Sequence, residues 1–92
     1  MTEKAVAVRV AGRVQGVSFR AWTQAEAEAL GLDGWVRNAA DGSVEAHLQG
    51  PADAVEAMLR RLREGPSAAR VTHVLTETAE PVSGLGGFTV RG

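Results

Sequence analysis

The 92-residue sequence contains no cysteine. That excludes disulfide staples, a thiolate nucleophile and any cysteine-ligated metal. Aromatic residues make up only 4%, so the interior must be lined by valine and leucine, with Phe19, Trp22, Trp35 and Phe88 as its few large fillers. Neither sign of charge dominates: ten Lys and Arg stand against eleven Asp and Glu, a formal net charge of −1. A domain held to nucleic acid by phosphate neutralisation is strongly basic, so no nucleic-acid partner is expected. The one basic cluster, Arg60, Arg61 and Arg63, reads as the cation-rich last turn of a helix. No segment approaches the ~20 apolar residues of a membrane span, and the start, Met1-Thr2-Glu3-Lys4-Ala5-Val6, lacks the apolar run of a signal peptide. The expectation is a cytoplasmic monomer folded as one domain over residues 1–92.

What is present is strongly patterned. Val6, Val8 and Val10 alternate with Ala7, Arg9 and Ala11, as in a half-buried strand. After a glycine-containing loop, Phe19, Trp22, Ala25, Ala29 and Leu30 are spaced as one helix face, with Gly31 as its stop. Two starts compete for this helix: a capping box at Thr23-Gln24-Ala25-Glu26, or Ser18 capping a helix that begins at Phe19. The earlier start places Phe19 and Trp22 on the buried stripe and is preferred. Gly34 to Asn38 and Ser43 to Gln49 read as two strands joined by Ala39-Ala40-Asp41-Gly42, whose Asp-Gly pair favours a hairpin turn. Gly50-Pro51-Ala52-Asp53 opens a second helix, with Val55, Met58, Leu59 and Leu62 as its stripe. Arg70 to Thr78 forms a fourth strand and Phe88-Thr89-Val90 a short terminal one. The glycine-rich run from Ser83 to Gly87 precedes no helix, so it reads as a loop and not a phosphate cradle.

The order βαββαβ with a short extra C-terminal strand defines an α+β, ferredoxin-like sandwich: an antiparallel sheet with two helices on one face. Right-handed crossovers give the strand order 4-1-3-2. Strands 1 and 2 then run parallel on either side of strand 3, and their C-terminal ends meet at one edge. The loop Gly12-Arg13-Val14-Gln15-Gly16-Val17-Ser18-Phe19-Arg20 and the residue Asn38 become neighbours.

That loop carries an anomaly. Arg20 lies beside the positive end of the helix, where an isolated helix favours an acid. A glycine turn into a helix presents backbone N–H groups to an anion, and an arginine fork matches two phosphate oxygens. Arg20 suits a bound phosphate; it also suits an ordinary surface loop with its arginine in water. Asn38, the only asparagine in the chain, can hold a water through an amide that donates and accepts, or can simply initiate the turn that follows. Ser18 has no evident base to activate it and reads as a cap or loop filler. His47 and His73 fall on separate strands without metal-ligand spacing and read as surface or edge residues. Asp41, Glu45, Asp53 and Glu56 form no metal pattern, and the loop lacks the Lys-Ser/Thr ending of a nucleotide-hydrolysing motif.

The stretch Gly12 to Arg20, with Gly34-Trp35-Val36-Arg37-Asn38, Asp41-Gly42-Ser43-Val44-Glu45 and Gln49-Gly50-Pro51, closely resembles the acylphosphatase family over nearly the whole chain. The resemblance implies hydrolysis of the carboxyl–phosphate anhydride of a small acyl phosphate, with no cofactor and no metal. It assigns substrate binding to Arg20 and water positioning to Asn38. It assigns a backbone N–H cradle to Gln15, Gly16, Val17, Ser18, Phe19 and Arg20. A C-terminal Gly92, where many relatives carry a larger or charged residue, is the main departure. The competing reading is a ferredoxin-like module that binds a small anion without turnover. An RNA-binding module of similar order lacks its stacking aromatics and basic face, and a domain of a larger carbamoyl-transferring protein would need chain beyond this one.

Overall fold

The alternation at Val6, Val8 and Val10 places all three in the interior of an 11-residue strand, β1 (Glu3–Arg13). In this computed structural model, which describes residues 3–91, the elements that follow are α1 (Phe19–Ala29), β2 (Asp33–Asn38), β3 (Val44–Pro51), α2 (Ala52–Glu64), β4 (Arg70–Thr78) and β5 (Phe88–Arg91). Gly92 lies outside the described residues, and so does any effect of its identity.

Sheet order is β4-β1-β3-β2-β5, the 4-1-3-2 core with one strand added. β1 pairs antiparallel with both β3 and β4, and β2 antiparallel with β3. The added strand departs from an all-antiparallel sheet: β5 runs parallel to β2, with Val36 opposite Val90 and Arg37 opposite Arg91. Both helices pack on one face, closing a core of Val6, Val8, Val10, Val36, Val44 and Leu48 from the sheet with Val55, Met58 and Leu62 from α2.

α1 starts at Phe19, the earlier of the two sites, but Ser18 makes no side-chain cap bond and sits in the left-handed region at φ 61°. Thr23, the rival start, is fully buried in the middle of the helix. The buried face is Phe19, Thr23 and Ala27, while Ala25 and Ala29 are exposed. Gly31 ends the helix as expected, at φ 71°. Its N–H donates to the Glu28 carbonyl at 3.0 Å and the Leu32 N–H to the Ala27 carbonyl at 2.9 Å, the paired bonds of a Schellman motif.

Two large side chains lie elsewhere than expected. Trp35 is not core: it alternates with buried Gly34 and Val36 and so projects from the sheet face without helices. There the Arg37 and Arg91 guanidinium carbons lie 5.1 and 4.8 Å from its ring, within cation–π range. His47 shares that face but is only 6% exposed, because β3 is the central strand and the Trp35 ring stacks over it at 6.4 Å. Its Nε2 pairs with the Gln49 side chain at 2.9 Å. His73, on edge strand β4, is exposed.

Candidate active site

The C-terminal ends of β1 and β2 meet at one edge of the sheet, and the loop that leaves β1 curls over it. Two of its residues are left-handed, Gly16 at φ 75° and Ser18 at φ 61°. A Cβ at Gly16 would meet nothing within 4 Å, so the space beside this backbone is open. Ser18 is the one non-glycine residue with positive φ among those described. Such a conformation costs a β-carbon-bearing residue about 1–3 kcal/mol and is held by its surroundings at functional turns. Left-handed residues in a loop are the ingredient of N–H nests that bind anions, and here the loop leads straight into a helix N-terminus, which adds positive potential.

An open cleft of about 390 Å³ lies over this turn, lined by Val14, Gly16, Ser18, Phe19, Arg20, Ala21, Asn38 and Val90. Five of the sequence-predicted residues, Gly16, Ser18, Phe19, Arg20 and Asn38, thus share one cavity. Gln15 and Val17 do not line it. Val17 is half-buried and packs against the core.

Arg20 stands in the first turn of α1, which contains no acid. Among the described residues its guanidinium makes one hydrogen bond, from Nη1 to the Arg91 carbonyl at 3.3 Å. β5 therefore touches the site through its backbone, while the Arg91 side chain lies on Trp35 on the other face. Asn38 is the last residue of β2. Its Oδ1 is buried and accepts no hydrogen bond from a described group. A buried acceptor left unpaired costs about 1–3 kcal/mol.

Sequence reasoning missed the side chain of Gln15. Its Nε2 donates to the carbonyls of Ala39 and Ser43, each at 2.8 Å. These carbonyls belong to the hairpin that begins immediately after Asn38, where the Ala39 N–H also donates to the Ser43 carbonyl at 2.8 Å. One amide therefore ties the loop to the element carrying Asn38. Arg9 holds the same hairpin from β1, donating to Asp41 at 3.0 Å, Ser43 at 2.8 Å and Glu45 at 2.7 Å. Hydrogen bonds from the Ser43 hydroxyl and amide, with the nearby Arg9 charge, hold the Asp41 carboxyl below its ordinary range. No residue type on its own marks Gln15 for this role, since it depends on a distance across 24 residues of chain.

The other three acids singled out from the sequence also have partners. Glu45 also accepts from Arg37 at 3.1 Å, Asp53 from the Ala54 amide at 2.9 Å, and Glu56 from Lys4. Arg61 and Arg63 fall in the last turn of α2, the position read from the sequence. Among the described residues no helix is long and apolar enough to cross a membrane.

The fold and the cleft together define a small α+β domain with a left-handed turn and an open cleft at one sheet edge. Residues 6–90 match the acylphosphatase family model. The chain is 52% identical over 87 residues to an acylphosphatase of Sinorhizobium medicae, covering 95% of this chain and 93% of that one. It superposes on the crystal structure of acylphosphatase from Bacillus subtilis with a TM-score of 0.92 at 32% identity, over 99% of this chain and all of that one. The acylphosphatase from Coxiella burnetii gives 0.87 at 40% identity, over 97% and 93%. The chain belongs to the acylphosphatase family, and it is an enzyme that hydrolyses acyl phosphates.

Proposed function

We propose that hydrolysis proceeds by direct attack of water, with Arg20 and Asn38 as the catalytic residues and the backbone N–H groups of Gln15 to Arg20 as the phosphate cradle. The water oxygen bonds to phosphorus as the bond from phosphorus to the acyl oxygen breaks. The acyl group leaves as a carboxylate, and the water proton passes to a phosphate oxygen. A carboxylate is a stable leaving group and needs no strong general acid. What remains is to place the water and to neutralise charge on the equatorial oxygens. The cradle, the helix end and the Arg20 fork suit the second task, and the Asn38 amide suits the first.

The observation that carries the reading is that Arg20 and Asn38, from separate elements, line one cleft with the left-handed turn. The protein is proposed to work as a one-domain monomer over residues 1–92. It acts in the cytoplasm on a small acyl phosphate, with no nucleic acid, membrane, metal or cofactor taking part. Its test separates water from phosphate. Asn38→Ala should lower kcat by about 10²-fold or more while the inhibition constant of inorganic phosphate changes little. Weaker phosphate inhibition with unchanged kcat would assign Asn38 to the cradle instead.

A further inference from the structure

A guanidinium on the first turn of a helix swings freely unless a group outside the helix holds it. For Arg20 that group is the carbonyl of Arg91, 3.3 Å from Nη1. The carbonyl lies at the end of β5, which reaches the site because it runs parallel to β2. β5 is a four-residue strand at the edge of the sheet. Its first residue is well anchored: Phe88 is buried, and its carbonyl accepts from the Gln24 side chain at 3.0 Å. Thr89, Val90 and Arg91 beyond it are exposed. Exposed strand ends of this kind fray, yet the Arg91 carbonyl has to stay in place for Arg20 to be aimed.

The Arg91 side chain supplies the second anchor. It projects to the helix-free face, where its guanidinium carbon lies 4.8 Å from the Trp35 ring centre. Arg37 lies over the same ring at 5.1 Å, but Arg37 is also held by Glu45 at 3.1 Å. Among the described residues no carboxylate pairs with Arg91, so the ring is what fixes it. Tryptophan is the strongest aromatic partner for a cation, and Trp35 is itself steadied by stacking on His47 at 6.4 Å. Trp35 does not line the cleft. We propose that Trp35 is a positioning residue for the reaction. From the helix-free face it clamps Arg91, and through the Arg91 carbonyl it aims Arg20 at the phosphate. This rests on the role proposed for Arg20 above.

The test uses Trp35→Leu, Trp35→Phe, Arg91→Met and the double variant of Trp35→Leu with Arg91→Met. For each, kcat on benzoyl phosphate and the inhibition constant of inorganic phosphate are measured. Trp35 lies outside the core cluster, so the variants should fold, which circular dichroism checks. Trp35→Leu and Arg91→Met should each weaken phosphate inhibition about threefold, the factor that a cation–π contact at an exposed site is worth. In both, kcat should change less. The double variant should be no weaker than either single one, since both remove the same contact. Trp35→Phe keeps an aromatic face and should recover part of the loss. Trp35 also stands on the strand that ends in Asn38, and damage passed along β2 would lower kcat and leave phosphate inhibition alone. That pattern overturns the proposal. So do unchanged phosphate inhibition in both single variants and losses that multiply in the double one. If Arg20→Met leaves phosphate inhibition unchanged, the role of Arg20 itself fails, a result read on a different variant.

Discussion

Arg20 sits where an isolated helix gains nothing from a cation. Its first turn offers backbone N–H groups and no acid, so a guanidinium there repels the helix end by a few tenths of a kcal/mol to about 1 kcal/mol. The arrangement becomes favourable once an anion lies between the two positive groups, since both then act on one charge. Arg20→Met should lower kcat/KM for an acyl phosphate by at least ~10²-fold, the loss seen on removing one donor to a developing oxyanion. Arg20→Lys keeps the charge but loses the planar fork, and should recover only part of that loss. Steady-state kinetics on folded variants would show it, and equal activity of the methionine variant would remove Arg20 from the chemistry. The role proposed for Asn38 differs in kind: its amide carries no charge and suits a neutral water better than a phosphate.

At the scale of elements, the site depends on strands held at close quarters. Gly34 in β2 has φ 147°, and a Cβ there would overlap the carbonyl oxygen of His47 on β3 and come within 3.1 Å of the Phe88 ring on β5. Gly34→Ala must push β2 away from one neighbour or the other, shifting both Asn38 and the Arg91 carbonyl that holds Arg20. It should destabilise the protein by about 3 kcal/mol, read as a lower urea midpoint, and a midpoint equal to the unaltered protein's would contradict this packing. These elements were legible in the sequence to different degrees. β1 was plain because Val6, Val8 and Val10 are buried while Ala7, Arg9 and Ala11 between them are not, so the valine alternation is unbroken. The face of α1 was harder to read, since alanine on every side dilutes the period and buried Thr23 resembles a cap. Trp35 misled by its size: period two puts it opposite Val36, and two arginines cover it where the core does not. The parallel pairing of β5 depends on four residues and a long loop, too little local pattern to set a direction. The Gln15 amide bond to the hairpin is purely tertiary and left no mark on the sequence at all.

The whole molecule is a sandwich whose two crossover connections bring the ends of β1 and β2 to one edge. The sheet supplies the distance between loop and hairpin, and Gln15 and Arg9 hold it. The chemistry needs little more than that geometry, because an acyl phosphate already carries a good leaving group. The enzyme should therefore select by bond type. Purified protein in excess chelator should hydrolyse benzoyl phosphate with turnover, while a stable phosphate monoester, whose leaving alkoxide would need a general acid, stays essentially intact. The measurement that tests this most directly is the rate of benzoyl phosphate hydrolysis by the folded protein with chelator present, set beside the rate for a monoester under the same conditions. Rapid loss of the acyl phosphate alone is the predicted result. No turnover by folded protein, or turnover that disappears with the chelator, would contradict the account.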